Sequence, residues 1–284
     1  MKEKIVFFGA GPYVSRIVEV LQREFEVYVF TTEKRQNDPL LLYCIHNNII
    51  LFSINKFDHK IIDEIKKIGA KIAVLAYFGF IVPKKILKLF ELGIINVHPS
   101  LLPKYRGATP VQAALLAGDT KTGVSIIKLD EEVDHGPILA QLEAKIESDD
   151  TSETLYRRLF QEGAELLLKV LPIYMSGELK LAEQDHLEAT FTDRMIRNAG
   201  YLDISNKTDP EKLDRMIRAY FPWPGVWFRA KLNSRQRIIK LLPEQKIQVE
   251  GKNVMKLSDF ANGYPEGGQI LSRLSPASTR GELS

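Results

Sequence analysis

The chain has 284 residues, of which 45% are hydrophobic and 26% charged, the composition of an ordinary globular protein with one large domain or two average ones. No apolar run approaches the roughly 18 residues of a membrane span, and no signal-peptide apolar region follows Met1, so the sequence predicts a cytoplasmic protein. The single cysteine, Cys44, excludes a disulfide framework and a thiolate metal site.

The net charge of +3 is unevenly distributed along the sequence. Residues 206–284 carry 14 Lys and Arg against 8 Asp and Glu, an excess of +6, which leaves −3 for residues 1–205. A basic C-terminal part is typical of a region that binds a polyanion, and a solvated basic surface without a ligand is the alternative.

Apolar strands alternate with helical segments in the first part of the chain. Continuous apolar runs predict buried parallel strands, and apolar residues at helical spacing predict the helices between them. Strands are predicted at residues 4–8, 26–31, 49–52, 71–76 and 93–95, and helices at residues 14–21, 40–47, 56–68 and 83–92. The alternation predicts an α/β fold with a Rossmann-like, doubly wound, mostly parallel sheet.

The turn after the first strand, Gly9-Ala10-Gly11-Pro12, is similar to the start of a dinucleotide-binding unit. However, the third glycine of G-x-G-x-x-G falls at Val14, and Pro12 removes a backbone donor. We therefore do not expect NAD to bind there.

The middle of the chain completes the first predicted domain, residues 1–184. Pro110 follows Thr109, a pattern that predicts a helix N-terminus. Residues 122–129 and 138–146 are apolar-rich and predict a hairpin-like pair of strands, and a long helix begins at Ser152.

The C-terminal part predicts a second, smaller domain. Residues 185–206 are polar with weak periodicity and predict a linker. A helix at 210–220 and short strands at 229–232, 237–241 and 246–249 predict a small OB-like β-barrel over residues 207–265. Residues 266–284 predict a disordered tail.

Asn96 and His98 follow an apolar strand, in a loop rich in Pro and Gly. Two residues apart, they face the same side if the backbone is extended. Asp134 lies in another loop, 36 residues after His98, where a carboxylate can orient the imidazole. Singly, such residues are more often structural, but a donor, an acid/base group and a carboxylate together suit acyl transfer through a tetrahedral intermediate.

The complete pattern is more specific than its parts. It reads Asn96-x-His98-Pro99-Ser100-Leu101-Leu102-Pro103-x-x-Arg106-Gly107, followed by Asp134-x-Gly136-Pro137, and it resembles the folate-dependent formyltransferases. The resemblance implies that Asn96, His98 and Asp134 are catalytic and that 10-formyltetrahydrofolate is the co-substrate. No metal is expected, because the five histidines show no ligand spacing.

The same resemblance implies two sets of binding residues. The folate-binding set is Ala76, Tyr77, Phe78, Gly79, Phe80, Ile81, Val82, Asp130 and Val133. The substrate-binding set is Ser100, Leu101, Leu102, Pro103, Arg106 and Gly107. An aromatic-rich apolar loop such as residues 77–82 is otherwise most often a packing plug.

Two C-terminal stretches resemble the branch of this family that formylates methionyl-initiator tRNA. They are Ile217-Arg218-Ala219-x-x-Pro222-Trp223-Pro224-Gly225 and Gly251-Lys252-x-x-Met255 with Asp259-Phe260-x-Asn262-Gly263-Tyr264-Pro265. The resemblance implies that methionyl-initiator tRNA is the partner of a monomeric enzyme that does not bind membranes. The expected tRNA-binding residues are Lys34, Arg35, Arg215 and Arg218, although the loop at 31–39 and the predicted barrel are shorter than is usual in that branch.

Three alternatives share part of this pattern. A sugar-nucleotide amine N-formyltransferase uses the same folate donor, but a basic second domain argues against it. A glycinamide ribonucleotide formyltransferase would lack the second domain. A non-catalytic RNA-binding protein on the same scaffold is disfavoured by the intact Asn96, His98 and Asp134.

Overall fold

The computed structural model describes residues 2–32 and 37–274, and the chain divides into two compact units. Unit 1 consists of Met1–Gly107, Lys121–Lys145 and Tyr156–Thr192. Unit 2 consists of Ala108–Thr120, Ile146–Leu155 and Asp193–Ser284. Neither unit is continuous in sequence.

The strands and helices follow the predicted alternation. The strands are β1 Glu3–Gly9, β2 Phe25–Thr31, β3 Ile50–Ser53, β4 Ile72–Ala76, β5 Gly93–His98, β6 Arg106–Gly107, β7 Lys121–Lys128, β8 Ile138–Lys145, β9 Phe191–Thr192, β10 Val226–Leu232, β11 Arg235–Leu242, β12 Lys246–Val249 and β13 Val254–Lys256. The helices are α1 Ser15–Leu21, α2 Pro39–His46, α3 His59–Ile68, α4 Lys84–Leu87, α5 Pro110–Ala117, α6 Ser152–Met175, α7 Pro210–Tyr220, α8 Leu257–Gly263 and α9 Gly267–Leu274. Two 3₁₀ turns, His186–Glu188 and Arg197–Gly200, lie between α6 and α7.

Unit 1 contains a seven-stranded sheet in the order β3-β2-β1-β4-β5-β7-β8. The first five strands of that order are parallel, and β7 and β8 are antiparallel to their neighbours. The connections reverse direction between β1 and β4, so the sheet is doubly wound, and ligands in such sheets bind beyond the carboxyl ends of the strands. The prediction of a mostly parallel Rossmann-like sheet is confirmed.

Continuous apolar runs explain the position of the core. The side chains of β1 from Ile5 to Phe8 and all of β4 are buried, as expected for parallel strands covered on both faces. Phe8 packs against Phe30 and Phe90, with ring centroids 5.5 and 6.1 Å away. Each such side chain contributes about 1.5–3 kcal/mol when fully buried. The strand ends that carry the site are therefore held by a rigid interior.

Unit 2 contains a four-stranded antiparallel sheet in the order β10-β11-β12-β13. Phe228, Ala230 and Leu232 of β10 are buried, and Arg229 and Lys231 between them are exposed. This period-two alternation is expected of a sheet with one solvated face. Within the same unit, α5 packs against α7. The sheet agrees with the predicted small barrel-like domain.

The C-terminal tail and the linker differ from their predictions. The prediction of a disordered tail from residue 266 is wrong for Gly267–Leu274, which forms α9 with Ile270 and Leu274 buried. Residues 275–284 of the predicted tail lie outside the described residues. In the predicted linker, β9 pairs with β6 in unit 1, whereas residues from Asp193 onward belong to unit 2. Domain boundaries at 184 and 206 stay a prediction.

In the parts of the chain that the structure describes, no helix combines the length and the apolarity that crossing a bilayer requires.

Candidate active site

Strand β5 positions Asn96 and His98 close to each other. Both residues lie at its carboxyl end, between β4 on one side and β7 on the other, and both side chains are buried. Because the strand is extended, residues two positions apart face the same side. The predicted pairing of an amide with an imidazole is therefore present.

Asp134 joins these two residues through its carboxylate. Its Oδ1 accepts a hydrogen bond of 3.0 Å from Asn96 Nδ2, and its Oδ2 lies 3.5 Å from His98 Nδ1. The backbone N–H of Gly107 also donates to Oδ2, at 2.8 Å. A carboxylate buried with three such neighbours is fixed in position, so the three predicted catalytic residues form one cluster.

His98 faces an oxygen acceptor on both sides. Its Nε2 lies 3.0 Å from the backbone carbonyl oxygen of Tyr105, and its Nδ1 faces Asp134. A carbonyl oxygen can only accept, so Nε2 carries a proton. The ring is therefore held in a fixed orientation, with Nδ1 turned toward the carboxylate.

The loop that follows His98 is fixed by β7 and β8. Ser125 Oγ donates to the carbonyl oxygen of Ser100 at 2.6 Å and accepts from the backbone N–H of Leu102 at 3.0 Å. Gln141 Nε2 donates to the Leu102 carbonyl oxygen at 2.8 Å. Leu101 packs so closely on Gly123 that a Cβ there would lie 2.5 Å from Leu101 Cδ2. Sequence reasoning missed Ser125 and Gln141, which lie in strands that carry no motif.

These contacts bear on the predicted substrate-binding set. Ser100 and Leu102 are buried, and Ser100 Oγ also donates to the carbonyl oxygen of Lys104 at 2.7 Å. Pro103 is half-buried, and its carbonyl oxygen accepts from the backbone N–H of Thr190 at 3.3 Å. The geometry gives these residues a role in shaping the loop, and their contact with substrate stays a prediction.

Arg106 is buried and bonded to residues that the sequence did not single out. Its Nε and Nη2 donate to Gln184 Oε1 at 3.2 and 2.7 Å, and Nη2 lies 2.8 Å from His186 Nδ1. The His186 ring stacks on that of His135, with centroids 4.0 Å apart, and His135 Nδ1 lies 2.6 Å from Asp130 Oδ2. A polar network therefore extends from the cluster of Asn96, His98 and Asp134 into the segment predicted to be a linker.

Residues 10–171 match the profile of the formyl transferase family, which is more than half of the chain. The chain belongs to this family. A methionyl-tRNA formyltransferase of Buchnera aphidicola is 34% identical over 80% of this chain and 75% of its own length. One of Fusobacterium nucleatum is 36% identical over 79% and 75%, respectively. The resemblance seen in the motif is confirmed, and the protein is a formyl-transferring enzyme.

Solved structures of other formyltransferases share the fold. A 4-N formyltransferase from Francisella tularensis gives a TM-score of 0.69 at 21% identity and covers 85% of this chain and 98% of its own. HypX from Aquifex aeolicus in complex with tetrahydrofolic acid gives 0.65 at 18% identity over 85% of this chain and 38% of its own. At these identities the likeness concerns the fold alone.

The two loops predicted to bind folate in this formyltransferase expose apolar side chains. Ile81 is 72% exposed and Val133 51% exposed, and Tyr77 projects from the same strand exit as Ile81. Phe78 and Phe80 are partly buried against the core cluster, which anchors the first loop. The second loop is held by Asp130, whose Oδ1 accepts from the backbone N–H of Glu132. Lys84 follows the first loop in the sequence and Glu131 precedes Val133 in the second, and an ion pair joins these two residues.

Of the four cations predicted to bind tRNA, two are not described by the structure and two have contacts within the protein. Lys34 and Arg35 lie outside the described residues. Arg218 is 16% exposed in its side chain, with Nε bonded to Asp214 at 2.8 Å and Nη1 to the carbonyl oxygen of Asp150 at 3.2 Å. Arg215 packs on Gly118 and lies 4.0 Å from Glu211. Both arginines thus have structural contacts within unit 2.

No group of three or more metal-ligating side chains is found within residues 2–32 and 37–274.

Proposed function

We propose that this enzyme transfers the formyl group of 10-formyltetrahydrofolate to the α-amino group of methionyl-initiator tRNA. The observation that carries the reaction is the buried cluster of Asn96, His98 and Asp134. The substrate is supported by relatives named methionyl-tRNA formyltransferases, which are 34–36% identical over three quarters of their length.

The folate supplies an activated formyl group, and the cluster supports its transfer to an amine. Asn96 uses one N–H on Asp134, and its second N–H has no acceptor among the described residues, so it remains available to the carbonyl oxygen of the formyl group. His98, held between Tyr105 and Asp134, stabilises the charge that develops on that oxygen. As the new C–N bond forms, the bond between the formyl carbon and the folate nitrogen breaks. The amine loses one proton, the departing folate nitrogen gains one, and His98 carries this exchange.

The apolar loops fit the ring system of a folate. Tyr77, Ile81 and Val133 expose large apolar surfaces that a flat heterocycle can cover. A Cβ added at Gly79 would meet nothing within 4 Å, which leaves open space at the tip of the first loop. We therefore assign folate binding to these two loops.

The solvated face of the unit 2 sheet fits a polyanion better than Arg215 and Arg218 do. Arg229, Lys231 and Lys240 are exposed, and none of the three has an ion-pair partner among the residues that the structure describes. Lys240 is the register partner of Trp227, which lies two residues before Arg229 on the same face. Unpaired cations beside an aromatic ring are typical of surfaces that bind nucleic acid.

One assay tests the proposal directly. Formyl transfer from 10-formyltetrahydrofolate should be measured with methionyl-initiator tRNA and, on the same sample, with amino-sugar nucleotides. We expect transfer to the tRNA at a kcat/KM at least about 100-fold above that for the sugars, since only the tRNA uses the basic sheet face. Efficient transfer to a sugar alone would support the alternative, which rests on neighbours that share only the fold. Sedimentation of the same sample would test the expected monomer.

A further inference from the structure

Gln184 occupies a central position in the polar network beside the catalytic cluster. Its side chain is buried, with the residue only 5% exposed. The amide nitrogen donates to the backbone carbonyl oxygens of Asp134 at 2.9 Å and Gly136 at 2.7 Å. The amide oxygen accepts the two bonds from Arg106. All four hydrogen-bonding positions of the amide are therefore used.

The partners of Gln184 also determine which way its amide points. On one side both partners are carbonyl oxygens, which only accept, and on the other side the partner is a guanidinium, which only donates. A flipped amide would place its oxygen against two carbonyl oxygens. Only one orientation satisfies the site, so the residue type is strictly matched to its surroundings.

The backbone that Gln184 holds has an unusual conformation. Asp134 has a φ of +49°, in the left-handed region that non-glycine residues adopt at some cost in energy. Gly136 is packed so tightly that a Cβ would lie 1.9 Å from the carbonyl oxygen of Lys128. Gln184 bonds the carbonyl groups on both sides of His135, and so restrains the segment whose carboxylate reaches Asn96 and His98.

Arg106 gives a second reason why a glutamine is needed at position 184. It is a buried cation, and within the described part of the chain no carboxylate pairs with it. A buried charge needs strong acceptors, which Gln184 Oε1 and His186 Nδ1 provide. Gly107, the residue after Arg106, donates its backbone N–H to Asp134 Oδ2. Gln184 therefore contacts both the Asp134 segment and the segment whose backbone bonds the Asp134 carboxylate.

We propose that Gln184 is a positioning residue that fixes the Asp134 carboxylate against Asn96 and His98 for formyl transfer. It lies beyond residues 10–171, which match the family profile, and it follows helix α6 in a segment without periodicity. The inference rests on the proposed catalytic role of Asp134.

The sharpest test is Gln184→Glu in the full-length protein. The substitution keeps the side-chain length and the acceptor for Arg106, but it replaces the two donors to the Asp134 segment with an oxygen that repels both carbonyl groups. We expect kcat to fall by about 10- to 100-fold with both KM values within about threefold, because a displaced catalytic group mainly affects the chemical step. The pH–rate profile should move as well. Gln22→Glu, at a glutamine of unit 1 that accepts from Tyr43 Oη, is the matched control for the added charge.

A double-mutant cycle with Asp134→Asn separates positioning from general stability. If Gln184 acts through the carboxylate, Gln184→Glu should cost much less activity in the Asp134→Asn background than alone. Equal costs in both backgrounds, or a Gln184→Glu enzyme within twofold of wild type, would overturn the inference. If Asp134→Asn alone retained wild-type activity, the catalytic assignment would fail instead, which keeps the two failures distinct. Should Gln184→Glu not melt cooperatively, Gln184→Asn, one methylene shorter and uncharged, carries the same expectations.

Discussion

The predicted catalytic site of unit 1 and the sheet face of unit 2 hold polar groups in opposite ways. In unit 1, Asn96, His98, Asp134 and Gln184 are buried, and contacts of 2.7–3.5 Å connect them to one another or to backbone groups. In unit 2, the sheet face presents Arg229, Lys231 and Lys240, which are exposed and have no ion-pair partner among the residues that the structure describes. Buried networks depend on each atom, whereas exposed charges act together and are screened by salt. Substitutions should therefore affect turnover steeply in unit 1 and binding gradually in unit 2.

The largest expected effect tests the buried side of this comparison. Asn96→Ala or His98→Ala removes a donor or a proton carrier, and turnover should fall by about 100-fold or more. Both KM values should change little, because these groups act mainly in the transition state. Single-turnover kinetics at saturating substrates measure the chemical step. Near wild-type rates for either variant would place the chemistry elsewhere.

Asp134→Asn changes one charge and almost no volume. We expect turnover to fall by about 10- to 100-fold, since the negative charge that faces His98 Nδ1 is lost. The pH–rate profile should change along with the rate, because the substitution removes a titratable group from the cluster. A full pH–rate series for both enzymes checks this. An unchanged profile and rate would reduce Asp134 to a structural turn residue.

Substitutions on the exposed sheet face of unit 2 should have a smaller effect, and on tRNA binding instead of turnover. Replacing Arg229, Lys231 and Lys240 together by Gln should raise the KM for tRNA by about tenfold at low salt and leave the KM for folate unchanged. The slope of log affinity against log salt should decrease by about 2–3, or nearly one per lost phosphate contact. The matched control replaces the exposed lysines Lys56, Lys66 and Lys71 of unit 1 by Gln. If both triple variants weakened tRNA binding equally, the effect would be one of net charge alone.

The smallest expected effect concerns a cation that unit 2 uses internally. Arg218→Ala removes the bonds to Asp214 and to the Asp150 carbonyl group, and it should lower the free energy of unfolding by about 1 kcal/mol. The KM for tRNA of the folded enzyme should change by less than about twofold. Thermal melting and kinetics on one preparation measure both quantities. A tRNA defect larger than that of the sheet-face variant would restore Arg218 to the tRNA-binding set.

The sequence predicted that Asn96, His98 and Asp134 lie together because they share a motif with fixed spacing. The same motif led to Arg106, but its partners Gln184 and His186 are single polar residues in a segment without periodicity, and nothing in that segment marks them. Helix α9 was missed because Gly267 and Gly268 suggest a flexible tail, although Ile270 and Leu274 have helical spacing. The contacts of Arg215 and Arg218 could not be predicted either, because Gly118 and Asp150 lie far away in the sequence.

The discontinuity of unit 2 has a consequence for how the chain is made. Helix α5 packs against α7, which is synthesised about 90 residues later. During translation α5, whose Val111, Ala114 and Leu115 are buried in the complete fold, must therefore wait for α7 until β7, β8 and α6 have been synthesised. A premature stop before Pro210 would therefore remove α7 as well as shorten the protein. Helix α5 would then lack its partner α7, and such products should be recognised by chaperones and proteases.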